Sequence, residues 1–195
     1  MIVLEEGAKL LLLAKEAVKT GFDDRQLKVE PALKERFSEA QGVFVTIHEQ
    51  GQLRGCIGFP EPIFPLWQAI IRAARAAAFD DPRFPPIEES EYEDLEFEVS
   101  VLTVPQKIEV ENPDDYPSHI IIGRDGLIIS VDGASGLLLP QVATEWHWNP
   151  KQFLENLCMK AGVMKDAWRS GEAEILKFQA QIFGEKDGKV VEKKI

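Results

Sequence analysis

The chain has 195 residues, 45% hydrophobic and 28% charged, which is ordinary globular usage and enough for one sizeable core or two small lobes. Its net charge is −11, and its basic residues form no cluster longer than Lys193-Lys194, so binding to a phosphate backbone is disfavoured. No apolar run approaches the ~20 residues of a membrane span and no signal-peptide pattern is visible, so we expect a cytoplasmic protein.

The first part of the chain predicts two helices. Apolar residues recur at helical spacing over residues 5–20, and Gly21 follows as the expected C-terminal cap. A short helix is predicted over residues 31–37, because Pro31 suits a first helical turn.

The period then changes to two, which predicts a β-hairpin over residues 43–58. We expect a three-residue loop, 49–51, which pairs Val45 with Gly55 and Val43 with Ile57. That register separates two faces of the hairpin. One face carries Val43, Val45, Ile47, Leu53 and Ile57, and the other carries Phe44, Thr46, His48, Arg54 and Cys56.

An alanine-rich helix is predicted from about residue 64 to 79, suited to close packing against a sheet. Residues 80–86 form a proline-stiffened connection. The acid-rich run 88–98 is interpreted as a solvated loop and strand face, and alternation predicts a strand over 95–103.

Turns at 124–126 and 132–136 bracket predicted strands at 120–122, 127–131 and 137–139, which we interpret as an antiparallel meander. Asn149-Pro150 predicts the start of a helix that ends at Gly162, with Cys158 on its apolar face. A last strand is predicted over 174–183.

Residues 43–79 and 127–161 both run hairpin, proline, helix. This repetition predicts an α+β protein of two lobes, with antiparallel β-sheet and packed helices around a cleft, where a ligand would bind. No segment is long and polar enough for a linker, so residues 1–195 are expected to form a single domain.

Arg54 and Cys56 carry the clearest chemical hypothesis. Alternate strand residues lie about 7 Å apart, so the guanidinium could fold back over the thiol and favour the nucleophilic thiolate. Gly55 and Gly58 would leave room for a ligand. The alternative is structural, because free cysteines are often buried and strand glycines often mark tight packing.

A cysteine nucleophile needs a base. His48 shares the predicted face of Cys56 but lies near the far end of the hairpin. His147 stands between two tryptophans just before a helix cap, where it could reach a cleft and act as the base. The two tryptophans could equally cover the core. Arg83 is a second candidate anion contact, and Glu98 points away from the core, either into solvent or towards the cleft.

Other classes of site are disfavoured. The two cysteines are far apart in the chain and the three histidines are scattered, so we expect neither a metal site nor a disulfide. Hydrolase, zincin and dinucleotide-binding motifs are absent, and nothing in the sequence indicates a cofactor.

The segment Leu53-Arg54-Gly55-Cys56-Ile57-Gly58 resembles the signature hexapeptide of the AMMECR domain family. The resemblance continues in segments 42–46, 78–86, 98–102, 138–143 and 160–162, which together cover nearly the whole chain. It implies a two-lobed α+β fold with the hexapeptide at or near the cleft. His147 lies outside the motif.

The resemblance implies no established reaction. It implies partnership with a Memo-type protein and a radical SAM protein, which accompany microbial members of the family. Three hypotheses follow: an enzyme or binder of a small anionic ligand that uses Cys56 and Arg54; a non-catalytic partner-binding module; and, disfavoured by the charge, a nucleic-acid-associated factor.

Overall fold

A computed structural model describes residues 2–23, 25–186 and 188–193, and it divides the chain into two compact units. The first unit runs to Leu102 and resumes at Gln181, and the second runs from Thr103 to Ala180. Among the described residues, no helix is both long enough and apolar enough to cross a bilayer. The α+β class is confirmed by the mixture of helices and antiparallel strands in both units.

The helices, in chain order, are α1 (Leu4–Phe22), α2 (Pro31–Arg36), α3 (Leu66–Phe79), α4 (Pro140–Glu145) and α5 (Pro150–Lys160), with short 3-10 turns at Glu89–Asp94, Pro113–His119 and Ala167–Arg169. The strands are β1 (Val43–Glu49), β2 (Gln52–Phe59), β3 (Leu95–Leu102), β4 (Gln106–Lys107), β5 (Gly126–Val131), β6 (Ala134–Leu138), β7 (Glu174–Phe178), β8 (Ala180–Lys186) and β9 (Lys189–Lys193).

The first unit is built on a five-stranded sheet in the order β2-β1-β3-β8-β9, so β2 is an edge strand. Side chains from one sheet face join those of α1 and α3 in a single core. The alanines of α3 are almost all buried, which confirms that this helix lies close to its neighbours. Gly21 was expected to cap α1, but it lies within the helix, which continues to Phe22. A Cβ at Gly21 would overlap the Phe79 ring, so this glycine allows close packing rather than ending the helix.

The β1–β2 hairpin is confirmed, but its predicted register is wrong. The loop has two residues, Gln50 and Gly51, both with positive φ, and Val45 pairs with Ile57 instead of Gly55. The ladder shifts between Ile47 and His48, which leaves Arg54 as an unpaired bulge residue. The observed register differs from the predicted one by two residues, so the β1 side chains predicted on the core face and Ile57 still face the core. Beyond the bulge, Leu53 is exposed, although it was predicted on the core face.

The second unit contains a four-stranded sheet in the order β4-β7-β5-β6. Its core combines the β5 side chains with α5 and with Trp168. The predicted start of α5 is confirmed: the Asn149 side chain accepts from the Gln152 backbone, and Pro150 stands at the first turn. Cys158 is fully buried in this core, as expected.

Several predicted strand limits in this part of the chain are wrong. Residues 120–122 form no strand and lead instead into a turn, and the β5–β6 loop shortens to Asp132-Gly133. The single strand expected over 174–183 is two strands, β7 and β8, which belong to different sheets. Periodicity missed this break because alternation continues through Gln179.

Candidate functional site

The thiol of Cys56 lies on the sheet face opposite the core of the first unit. Cys56 stands opposite Thr46 on β1, and Thr46 stands opposite Glu98 on β3. The Thr46 hydroxyl donates a hydrogen bond to Cys56 Sγ at 3.3 Å. The three side chains therefore form one cross-strand row, which we call the Cys56 row (Cys56, Thr46, Glu98).

The main chain of Cys56 is held from the open edge of the sheet. Its N–H donates to Asp81 Oδ2 at 2.9 Å, and its carbonyl accepts from Arg83 Nη2 at 3.1 Å. Both groups would otherwise face solvent, because β2 has no strand neighbour on this side. Asp81 and Arg83 thus substitute for a neighbouring strand at this one residue, and we call them the edge clamp.

The edge clamp is also a tight ion pair. Arg83 Nη2 and Nε lie 2.7 and 2.9 Å from the two Asp81 carboxylate oxygens, and the Asp81 side chain is only 2% exposed. The Arg83 hydrogen bond, with further help from the Cys56 N–H, holds the pKa of Asp81 well below its usual range. Arg83 itself keeps 52% of its side chain exposed.

Arg54 does not fold over Cys56, so that geometric expectation was wrong. Its Nε and Nη2 bind the Glu91 carboxylate at 2.8 and 3.2 Å, and its Nη1 donates to the Pro85 carbonyl at 2.8 Å. The Arg54 side chain is 12% exposed. The bulge at Arg54 therefore ties β2 to the segment that follows α3, and Glu91 is a structural partner rather than a solvated acid.

The electrostatics of Cys56 also differ from the prediction of an activated thiolate. Burial raises the pKa of the Cys56 thiol above its ordinary value, and this effect outweighs the Thr46 hydrogen bond and the Arg83 charge, which lower it. The cation that acts on the thiol is Arg83 and not Arg54. Cys56 is therefore a half-buried, protonated thiol at neutral pH.

The two glycines of the hexapeptide make room for the protein itself. A Cβ at Gly55 would overlap the Ala77 carbonyl oxygen of α3, and a Cβ at Gly58 would overlap the Phe44 ring. Gly55 lets the helix approach β2, and Gly58 lets an aromatic ring lie over the strand. A ligand role for either glycine stays a prediction, while the packing role is visible.

Glu98 lies on the open sheet face, as alternation predicted. Its carboxylate is 13% exposed and accepts a hydrogen bond from Lys193 Nζ at 2.8 Å. The pair keeps the Glu98 charge neutralised beside Thr46. Lys193 could not be predicted as a partner of Glu98, since the two residues are 95 positions apart.

The candidate bases fall in different units. His48 lies on β1 two residues beyond Thr46 and therefore in the next row of the same open face. His147 belongs to the second unit, where it adopts a left-handed backbone with φ of 53°. A catalytic role for His147 stays a prediction. Among the described residues, no group of three or more His, Cys, Asp or Glu side chains could hold a metal ion.

Sequence reasoning missed Thr46, Asp81 and Glu91 as parts of the site. Thr46 was placed on the correct face, but the wrong register set it opposite a different residue. The Asp81–Arg83 ion pair could have been predicted from the sequence Asp81-Pro82-Arg83, because an aspartate and an arginine on either side of a proline can form a bidentate pair. The contact of Asp81 with Cys56, 25 positions away, could not be predicted from a local pattern.

The chain is therefore an α+β protein in which the edge clamp, a buried aspartate paired with an arginine, lies beside a neutral thiol of the hexapeptide. The sequence matches the AMMECR1 family over residues 11–183, and the chain therefore belongs to that family. It is 50% identical to a protein of Methanothermobacter thermautotrophicus over 182 residues, covering 93% of this chain and 95% of that one.

A second relative and a solved structure agree with this assignment. Protein Ta0236 of Thermoplasma acidophilum is 50% identical over 196 residues, covering 99% of this chain and 94% of that protein. The crystal structure of the uncharacterized protein PH0010 from Pyrococcus horikoshii matches with a TM-score of 0.92 and 42% identity, over 100% of this chain and 99% of that one.

Proposed function

We propose that this AMMECR1-family chain binds a small ligand on the open face of its first sheet, at the Cys56 row. The observation that carries the proposal is the row itself: a half-buried thiol, a hydroxyl and a carboxylate stand side by side on a face that the core does not use. The thiol acts in this proposal as a neutral contact rather than as a nucleophile, because its pKa is raised.

The charges around the row favour a small anionic ligand. Arg83 is the cation whose charge acts on the Cys56 thiol by lowering its pKa, and about half of the Arg83 side chain is exposed. Arg54 is a weaker candidate for the anion contact, since its fork already binds Glu91 and two carbonyl groups. Lys193 neutralises Glu98, which limits repulsion of an anion at the other end of the row.

The test is a thermal-shift screen of anionic metabolites on four proteins. These are the natural chain, Cys56→Ala, Thr46→Val and the control Ser130→Ala, which alters an exposed strand residue of the second sheet. A ligand at about 100 times its Kd contributes about 2.7 kcal/mol, which raises the melting temperature by several degrees. The shift should persist in Ser130→Ala and shrink in the two row variants. An equal shift in all four proteins would place the ligand elsewhere.

A cysteine-dependent enzyme is the stronger version of this proposal, with Cys56 as nucleophile and a histidine as base. It requires the thiolate, and the surroundings of Cys56 favour the thiol. Rapid alkylation of Cys56 by iodoacetamide at pH 7, at a rate far above that of a free thiol, would support the enzyme hypothesis over the binding hypothesis.

The second candidate function is a partner-binding module that serves a Memo-like and a radical SAM protein. The observation in its favour is that Arg54, Gly55, Ile57 and Gly58 all make internal contacts, so the hexapeptide shapes the fold. This proposal predicts that Cys56→Ser keeps both stability and partner capture in a pull-down with the two purified proteins. Capture of neither protein by the natural chain would count against it.

Nucleic-acid association is the least supported candidate, given the net charge of −11. It predicts a binding signal that falls steeply with salt. Fluorescence anisotropy with labelled RNA and DNA at low salt would dismiss it if no signal developed.

A further inference from the structure

The turn after α4 contains two tryptophans, Trp146 and Trp148, on either side of a histidine with a left-handed backbone. The Trp148 N–H donates to the Ala143 carbonyl at 2.9 Å, and the His147 N–H donates to the Thr144 carbonyl at 3.2 Å. This is the pattern of a Schellman cap, in which the residue at the left-handed position is usually glycine. Here that residue is His147, with φ of 53°.

The consequence of this cap is an aromatic stack. The rings of Trp146 and Trp148 lie 6.1 Å apart between centroids with an interplanar angle of 18°. Trp148 packs against the core of the second unit, so the inner ring is anchored. Trp146 is the outer ring, and it is 67% exposed. The anchored ring therefore supports one face of Trp146, and most of the Trp146 side chain stays exposed to a partner.

The residue that precedes the exposed ring in the sequence is an acid. Glu145 precedes Trp146, is exposed, and forms no salt bridge with any residue that the structure describes. The net charge of the chain is −11, which attracts cationic partners over long range. A tryptophan face binds cations more strongly than any other aromatic ring, and a guanidinium can stack on it while pairing with a carboxylate.

We propose that Trp146 and Glu145 form a docking surface for an arginine side chain of a basic partner protein. The guanidinium lies flat on the outer face of Trp146 and donates to the Glu145 carboxylate. Arginine and tryptophan are the residues that dominate protein interfaces, and an exposed, pre-oriented tryptophan fits that role. This surface is independent of the ligand site at the Cys56 row.

The test uses the acetylated, amidated peptide Gly-Arg-Gly-Arg-Gly and an otherwise identical peptide with citrulline in place of arginine. Binding is followed through the tryptophan indole N–H signals in ¹H–¹⁵N NMR spectra at low salt, with Trp146 assigned from Trp146→Phe. The arginine peptide should shift the Trp146 and Trp148 signals in a saturable way with a Kd of about 1 mM, and citrulline should bind at least about tenfold more weakly.

Variants separate this site from general attraction to an acidic protein. Trp146→Ala should abolish the response of the Trp148 signal, and Glu145→Gln should weaken binding several-fold. Glu172→Gln, a matched change at an exposed acid of the same unit, should leave binding unchanged. The proposal is overturned by equal binding of the citrulline peptide, by equal weakening in Glu172→Gln, or by no saturable shift up to about 20 mM peptide.

Discussion

Asp81 in the first unit and Asp125 in the second are built alike. Each side chain is almost fully buried, at 2% and 1% exposed, and each is paired with a half-exposed arginine, Arg83 or Arg124. Each carboxylate also accepts a backbone N–H at 2.9 Å. In both, the arginine partner and the backbone donor lower the pKa of the carboxyl group, and in Asp125 they do so against a larger effect of burial.

The two acids differ in what they hold. Asp125 accepts from the N–H of Ile121, four residues away, and so closes a local turn before β5. Asp81 accepts from Cys56, 25 residues away, and so joins a connection to the open edge of a sheet. The same buried aspartate–arginine pair therefore stabilises a local turn in the second unit and a long-range contact beside the candidate site in the first.

The largest expected effect is on Asp81→Asn. The neutral amide loses the ion pair with Arg83 and weakens the hydrogen bond to the Cys56 N–H, so the free energy of unfolding should fall by about 2–4 kcal/mol. Urea denaturation measures this change. The neighbouring exposed acid gives the control, and Asp80→Asn should change stability by less than about 0.5 kcal/mol. Equal losses in both variants would show that the edge clamp does not stabilise the fold.

Asp125→Asn should have a smaller effect, because it disturbs one local turn. We expect a loss of about 1–2 kcal/mol in the same denaturation experiment. A loss as large as that of Asp81→Asn would contradict the distinction between a local and a tertiary clamp.

The stability contributed by Asp81 should depend on pH. The pKa of Asp81 is lower in the folded chain than the value of about 3.9 in the unfolded chain, so its contribution is complete above about pH 5. As the pH falls below about 4, Asp81 binds a proton in the unfolded chain but not in the folded chain. The stability that Asp81 contributes therefore declines until the pH reaches the pKa of the folded state.

The stability difference between the natural chain and Asp81→Asn should therefore shrink between about pH 5 and pH 2. Urea titrations at several pH values measure it. A difference that stays constant over this range would mean that Asp81 has the same pKa in both states.

Much of the first unit could be predicted from the sequence. Period-two alternation identified β1 and the core face of Ile57, and the resemblance identified the hexapeptide. The bulge at Arg54 could not be predicted, because the Glu91 and Pro85 groups that bind its side chain lie 37 and 31 positions away in the sequence. Local patterns describe faces of strands, while register at a sheet edge is decided by residues far along the chain.

The candidate site shows the same limit. The sequence placed Cys56 and Thr46 on one face and Glu98 on the open side of its strand. It assigned the cation near the thiol to Arg54, because that residue is closest in sequence, whereas Arg83 reaches Cys56 through the folded connection. The pKa of Cys56 depends mainly on burial, which a two-residue spacing does not reveal.

The edge clamp holds the Cys56 main chain, and the Cys56 row contains a neutral thiol. The most direct test is the alkylation rate of Cys56 by iodoacetamide from pH 6 to pH 10, measured by mass spectrometry on a peptide distinct from that of Cys158. We expect a midpoint above the ordinary thiol value of about 8.5. A midpoint below about 7.5 would instead establish Cys56 as an activated thiolate, contrary to a neutral thiol in the Cys56 row.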